Sequence, residues 1–210
     1  MSEPEPPAAA PVPDVIIDNR LFVLVLQHPQ ERREPLATAA ATVAALRRAR
    51  LVAGLSWPNL AQALGRRADP KRWGVLYLGS VRLGASATPP PGRELLVLGR
   101  NGAPIADPAP ILSGLQGIIL IDGTWSQAKT LWWRNPWLLK LHRLVLNPPH
   151  PARLGRLRRE PRREALSTLE AAALALRHLE AAPAAADSLL AVLDRLMAAS
   201  RGPSQPERSA

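Results

Sequence analysis

Cysteine is absent from all 210 residues. Disulfides, a thiolate zinc site, an iron–sulfur cluster and a cysteine nucleophile are therefore excluded. The absence fits a reducing, cytoplasmic setting. No apolar run reaches the length of a membrane span, so no membrane partner is expected. The N-terminal "MSEPEPPAAAPVPD" is acidic and rich in proline and alanine, and it has neither the basic start nor the apolar stretch of a signal peptide. Residues 1–17 read as a disordered leader, and residues 200–210, "SRGPSQPERSA", as a disordered tail. That leaves residues 18–199 as one folded domain, and a chain that is 47% hydrophobic can build a sizeable core of that length. Three fingerprints are missing as well. No GxGxxG follows the first apolar run, and there is neither a P-loop nor an HExxH. His28, His142, His150 and His178 show no metal-ligand spacing, and no metal is expected. There is no internal repeat.

What the chain does have is positive charge. Its net charge is +10, with a pI near 11.4, and arginine supplies nearly all of it. Such a balance suggests a polyanionic partner, usually nucleic acid, although arginine- and alanine-rich codon usage produces the same composition. Local clustering separates the two. The stretch "PARLGRLRREPRREA" carries six arginines (Arg153, Arg156, Arg158, Arg159, Arg162 and Arg163) against two glutamates. A charge run of this kind is either a solvated face or a phosphate-binding one, and its one-signed character favours phosphate contact. Arg32, Arg33, Arg47, Arg48 and Arg50 extend the patch, with Glu31 and Glu34 diluting its first part.

Short apolar runs alternate with helical patterns. "RLFVLVLQ", "WGVLYLGS", "ELLVLGR", "GIILIDG" and "HRLVLN" read as strands, most of them buried on both faces. "PLATAAATVAALRRAR" carries apolar residues at helical spacing. "TWSQAKTLWW" and "NPWLLKL" read as one helix broken at Pro136 or as two short ones. Two alanine- and leucine-rich helices follow, at about 166–180 and 184–199, with Pro183 between them. This alternation predicts an α/β fold with a mostly parallel sheet and helices on both faces. Ligands in such sheets bind beyond the carboxyl ends of the strands. Three strand ends carry special residues: Gln27-His28-Pro29, Leu78-Gly79-Ser80 and Asp122-Gly123-Thr124-Trp125.

The "DGTW" corner has two readings. In the first, Asp122 or Thr124 caps the next helix, Gly123 eases the turn, and Trp125, Ala128 and Trp132 form a core-facing stripe. In the second, a strand-end carboxylate holds a hydroxyl or amino group, or accepts a proton. The glycine then admits a ligand close to the backbone, and the indole stacks on a purine or lies against a cation. Those are parts suited to a sulfonium-bearing adenosine such as S-adenosylmethionine.

"LIDGTWSQAKTLWWRNPWL" resembles the signature of the DTW-domain family. "LFVLVLQHPQERREPLATA" is similar to that family's N-terminal strand and Gln-His-Pro stretch, and "RLRREPRREALSTLEAAALAL" to its Ser-Thr-Leu-Glu-Ala segment. The three motifs stand in the family's order, and the resemblance spans about Leu21 to Leu196. It implies a tRNA-uridine aminocarboxypropyltransferase, which moves the 3-amino-3-carboxypropyl group of S-adenosylmethionine onto N3 of a tRNA uridine. It also implies a SPOUT-like fold with a C-terminal knot. Asp122 is then the candidate base or orienter, with Gln27 and His28 as catalytic support. Gly123, Thr124, Trp125, Leu78, Gly79 and Ser80 line the cofactor site together with Asp122. Ser167, Thr168 and Glu170 carry both readings: an S-x-x-E capping box, or an anion site at a helix start for the cofactor's carboxylate. Gln27 and His28 likewise fit a hydrogen-bonded turn. Many members of the family carry a cysteine cluster before the first strand, and this chain has none, which puts tRNA docking through such a module in doubt. Two rivals remain: an RNA methyltransferase of similar fold, and a non-catalytic RNA-binding protein.

Overall fold

A parallel sheet buried on both faces needs strands that are apolar on both sides, and the central runs of this sequence supply them. The computed structural model describes residues 16–33, 36–76, 94–147, 153, 166–180 and 183–200. Its strands are β1 (Phe22–Gln27), β2 (Ala49–Ala53), β3 (Trp73–Leu76), β4 (Leu95–Leu98), β5 (Gly117–Asp122) and β6 (His142–Leu146). They form one sheet in the order β2-β1-β5-β3-β6-β4. Every pairing is parallel except that of β4 with β6.

Period-two alternation sorts the side chains of β1 and β5 into two cores. On one face Val23, Val25, Ile118 and Leu120 pack against three helices: α1 (Thr38–Ala45), α5 (Thr168–Glu180) and α6 (Pro183–Ser200). On the other, Leu24, Leu26 and Ile119 meet Leu60 and Leu64 of α2 (Leu60–Leu64), and Trp137 and Leu138 of a 3-10 helix, Pro136–Lys140. The remaining helices are α3 (Ala109–Gly114) and α4 (Trp125–Arg134). Gly117 opens β5 where the Trp73 ring crosses it. A Cβ there would lie 2.6 Å from the indole and 2.7 Å from the Phe22 carbonyl oxygen.

One expected element changes type. The helical pattern read through Arg50 stops at Ala45, and Ala49–Ala53 is a strand. Leu46 turns extended, with φ −102° and ψ 135°. The residues beyond it pair with β1 from Val23↔Ala49 to Gln27↔Ala53. A ladder along the central strand outweighs the modest helix propensity of arginine and leucine. Pro183, expected between two helices, is the first residue of α6, where its missing N–H costs nothing.

The outermost described segments are tied to the body. Ile17 is buried and bridges Leu46, and α6 ends at Ser200. Residues 1–15 of the expected leader and 201–210 of the tail lie outside the described residues. No helix among the described residues is long and apolar enough to cross a membrane.

Candidate active site

β1 and β5 are neighbours in parallel register, so their last residues, Gln27 and Asp122, stand side by side. The alternation that buries Val25 and Leu120 against α5 turns Gln27 and Asp122 toward the same face. There Gln27 Nε2 donates to Asp122 Oδ2 at 3.0 Å. Thr168 Oγ1, on the first residue of α5, donates to Asp122 Oδ1. Asp122 is only 5% exposed. Burying a carboxylate is costly, and among the described residues the compensation comes from two neutral donors, with no cation paired to it. Hydrogen bonds to a charged group contribute about 1.5–3 kcal/mol each. A carboxylate has about four lone-pair sites, so the two bonds made by described residues leave other acceptor sites on Asp122.

The Gln-His-Pro turn is pinned to the same place. The His28 N–H donates to the Asp122 carbonyl at 3.0 Å, and His28 Nδ1 accepts from the Gln30 N–H at 3.4 Å. His28 thus takes the hydrogen-bonded turn that its sequence position offered. Gln127 Nε2 donates to Gln30 Oε1 at 3.1 Å, tying α4 to this turn.

Thr124 is the N-cap of α4. Its hydroxyl accepts from the Gln127 N–H at 3.4 Å, and its own N–H donates to Gln127 Oε1 at 2.6 Å. A Cβ on Gly123 would lie 3.0 Å from Gln127 Cβ, so this cap also favours glycine before it. The core-stripe reading of α4 holds only in part. Ala128 is buried and Trp132 half-buried, but Trp125 is 38% exposed, with Lys129 Nζ 5.4 Å from its ring centroid. Trp133 is 79% exposed and is not core, whereas Trp137 is buried and donates its indole N–H to the Trp57 carbonyl at 2.9 Å.

At the start of α5 the Ser167–Glu170 capping box is formed. Ser167 Oγ accepts from the Glu170 N–H at 3.2 Å, and Glu170 Oε2 accepts from the Ser167 N–H at 3.1 Å. Glu170 is 3% exposed, and its Oε1 accepts from the Arg153 N–H at 2.5 Å. Its carboxylate therefore holds the chain. Of the Ser-Thr-Leu-Glu segment, Thr168 is the residue brought to Asp122, a link with no local signal in the sequence. The Arg153 guanidinium pairs with Asp194 at 3.0 Å.

Leu78, Gly79, Ser80, His150, Arg156, Arg158, Arg159, Arg162 and Arg163 lie outside the described residues. Among the described residues no group of three histidines or acids is placed to hold a metal ion. The Gln-His-Pro, DGTW and Ser-Thr-Leu-Glu segments, distant in sequence, thus meet at one carboxylate.

Comparison with known proteins agrees with that convergence. The family model described as the DTW domain matches residues 9–201. A fruit-fly protein named tRNA-uridine aminocarboxypropyltransferase 2 is 30% identical over 90% of this chain and 67% of its own length. A mouse protein of the same name is 42% identical over 79 residues, which is 38% of this chain and 26% of the mouse protein. No solved structure gives a significant match. The chain belongs to the DTW-domain family.

Proposed function

We propose that this chain is a cytoplasmic tRNA-uridine aminocarboxypropyltransferase that uses S-adenosylmethionine as donor. Family membership and the names of the two relatives support the reading. The observation that carries it is the Asp122 carboxylate held by Gln27 and Thr168 at the carboxyl end of the central strands. In the reaction, uridine N3 bonds to the methionine γ-carbon, the bond from that carbon to sulfur breaks, and 5′-methylthioadenosine leaves as a neutral thioether. The N3 proton passes to a base. The methyl carbon is the less hindered target, so positioning must select the γ-carbon. Asp122 holds the donor in line or takes the proton. Gln27 and Thr168 fix the orientation of its carboxylate. The proposed fold is SPOUT-like, with a C-terminal knot, and residues 18–199 form the transferase domain.

The residues at the site suit the donor. Asp122 retains acceptor capacity for its amino or hydroxyl groups. The Trp125 ring already faces one cation, Lys129, and suits a sulfonium or an adenine equally. Gly123 and the Leu78-Gly79-Ser80 segment complete the proposed pocket. The direct test is incubation of the protein with tRNA and S-adenosylmethionine. Methylthioadenosine and an aminocarboxypropylated uridine, detected by mass spectrometry, are expected. S-adenosylhomocysteine would instead identify a methyltransferase.

Trp125→Ala is expected to weaken donor binding by about 1–3 kcal/mol, the scale of aromatic stacking on a base. Because Trp125 is partly exposed, the melting temperature should barely move. Unchanged affinity in calorimetry would remove Trp125 from the pocket. Arg156, Arg158, Arg159, Arg162 and Arg163 are proposed to contact tRNA phosphates, with Arg153 contributing less because Asp194 already pairs with it. Neutralising Arg158, Arg159, Arg162 and Arg163 together should weaken tRNA binding and flatten its salt dependence. Donor affinity should stay as in wild type, and an unchanged slope would make the cluster a solvated face.

A further inference from the structure

At the edge of the sheet opposite Asp122, five arginines line one cavity of about 260 Å³: Arg20, Arg48, Arg66, Arg67 and Arg72, with Trp73 in its wall. They come from four places: the entry to β1, the entry to β2, the loop after α2 and the turn before β3. β1, β2 and β3 run in the same direction in the sheet, so their amino ends share one edge and deliver the arginines together. No acid is among the described residues lining the cavity. Among the described residues none of the five guanidinium groups is in an ion pair.

Their contacts hold them without neutralising them. Arg20 donates to the carbonyls of Leu115 at 3.2 Å and Leu179 at 3.1 Å. Arg72 Nε donates to the Gly114 carbonyl at 3.2 Å. The Arg66 guanidinium lies 5.0 Å from the Phe22 ring centroid. Trp73, in the wall of the cavity, is 1% exposed, and among the described residues its buried indole N–H has no hydrogen-bond partner. Guanidinium groups gathered with no acid among the described lining residues are an arrangement that an anion relieves.

We propose that this basin binds backbone phosphates of the RNA substrate, as a second contact remote from the reacting uridine. The proposal takes the tRNA of the preceding section as the polyanion. Along β5, from Gln116 at the basin to Asp122, the chain advances about 20 Å at ~3.3 Å per residue. The two sites are therefore too far apart for one nucleotide to fill both, and a folded RNA can bridge them. Five guanidinium groups with no ion-pair partner among the described residues exceed the charge of a single small anion, which favours a polymer of phosphates.

The test uses the full chain with Arg48, Arg66 and Arg67 changed to glutamine. Arg20 and Arg72 are kept because they hold carbonyls. Binding of bulk tRNA is measured between about 50 and 200 mM salt, and each lost phosphate contact lowers the slope of log K against log salt by about 0.7–0.9. The expected result is a slope shallower by about 2–3, a tenfold or greater loss of affinity at low salt, and unchanged S-adenosylmethionine binding. Should the triple variant fold poorly, Arg48→Gln with Arg67→Gln, both at exposed positions, should still lower the slope by about 1–2. A folded variant with the wild-type slope overturns the proposal. Inorganic phosphate and pyrophosphate are titrated in parallel by calorimetry. Phosphate binding that vanishes in the variant while the tRNA slope holds would make the basin a small-anion site and also overturn it. Because the readout is tRNA binding, a shallower slope in a protein that transfers nothing would sink the activity reading alone. An unchanged slope with transfer intact would sink the basin alone.

Discussion

Asp122→Asn should lower transfer to tRNA by roughly 10²-fold or more, the usual scale for a general base, with the melting temperature within a few degrees of wild type. The geometry explains why the fold should survive. Asparagine keeps one acceptor oxygen and replaces the other with an NH₂. The Gln27 amide can turn over to present its oxygen to that NH₂, and the Thr168 hydroxyl can accept instead of donate. Both present contacts of the carboxylate therefore have neutral substitutes. Donor affinity then separates the two proposed roles. If Asp122 orients the donor, calorimetry should show S-adenosylmethionine binding lost along with transfer. If it accepts the N3 proton, binding should persist while turnover falls. A variant with full activity would reduce the carboxylate to a structural fastener between β1, β5 and α5.

The opposite pattern is expected at Glu170. Glu170→Ala removes the acceptor for the Ser167 N–H and the Arg153 N–H, and it opens the capping box at the start of α5. Leaving buried donors unpaired costs about 1–3 kcal/mol each. A total of about 3 kcal/mol lowers the melting temperature of a domain this size by roughly 6–12 °C. Activity should fall too, because the same helix end carries Thr168 to Asp122. Glu170→Gln keeps one acceptor oxygen and should recover part of the loss. If thermal unfolding leaves either variant as stable as wild type while donor affinity drops, the Glu170 carboxylate serves a ligand rather than the cap.

These two acids illustrate what local sequence can reveal. The capping box at Ser167 and Glu170 was legible because both partners lie within one helical turn. The strand from Gly117 to Asp122 was legible because its apolar run is continuous, whereas the choice between Asp122 and Thr124 as cap was settled by the structure, which pairs Thr124 with Gln127. The DTW motif and its two companions identified the family, which matches nearly the whole chain.

Other features required the tertiary structure. Ala49–Ala53 follows an alanine-rich helix, and only pairing with β1 makes it a strand. Whether Trp125 and Trp133 faced core or solvent depended on which side of α4 met the sheet, and both ended exposed. Arg48 was expected to extend the basic patch with Arg32, yet the two lie at opposite ends of their neighbouring strands: Arg48 precedes β2, while Arg32 follows β1. By itself the sequence determined five of the six strands, the family and the strand ends at Gln27 and Asp122, because caps, periodicity and motifs are contacts between near neighbours. The tertiary structure alone decided that Gln27 and Thr168 converge on Asp122, across 95 and 46 residues. It also decided that five scattered arginines share one cavity. Such contacts depend on strand order and parallel register, which no local pattern encodes.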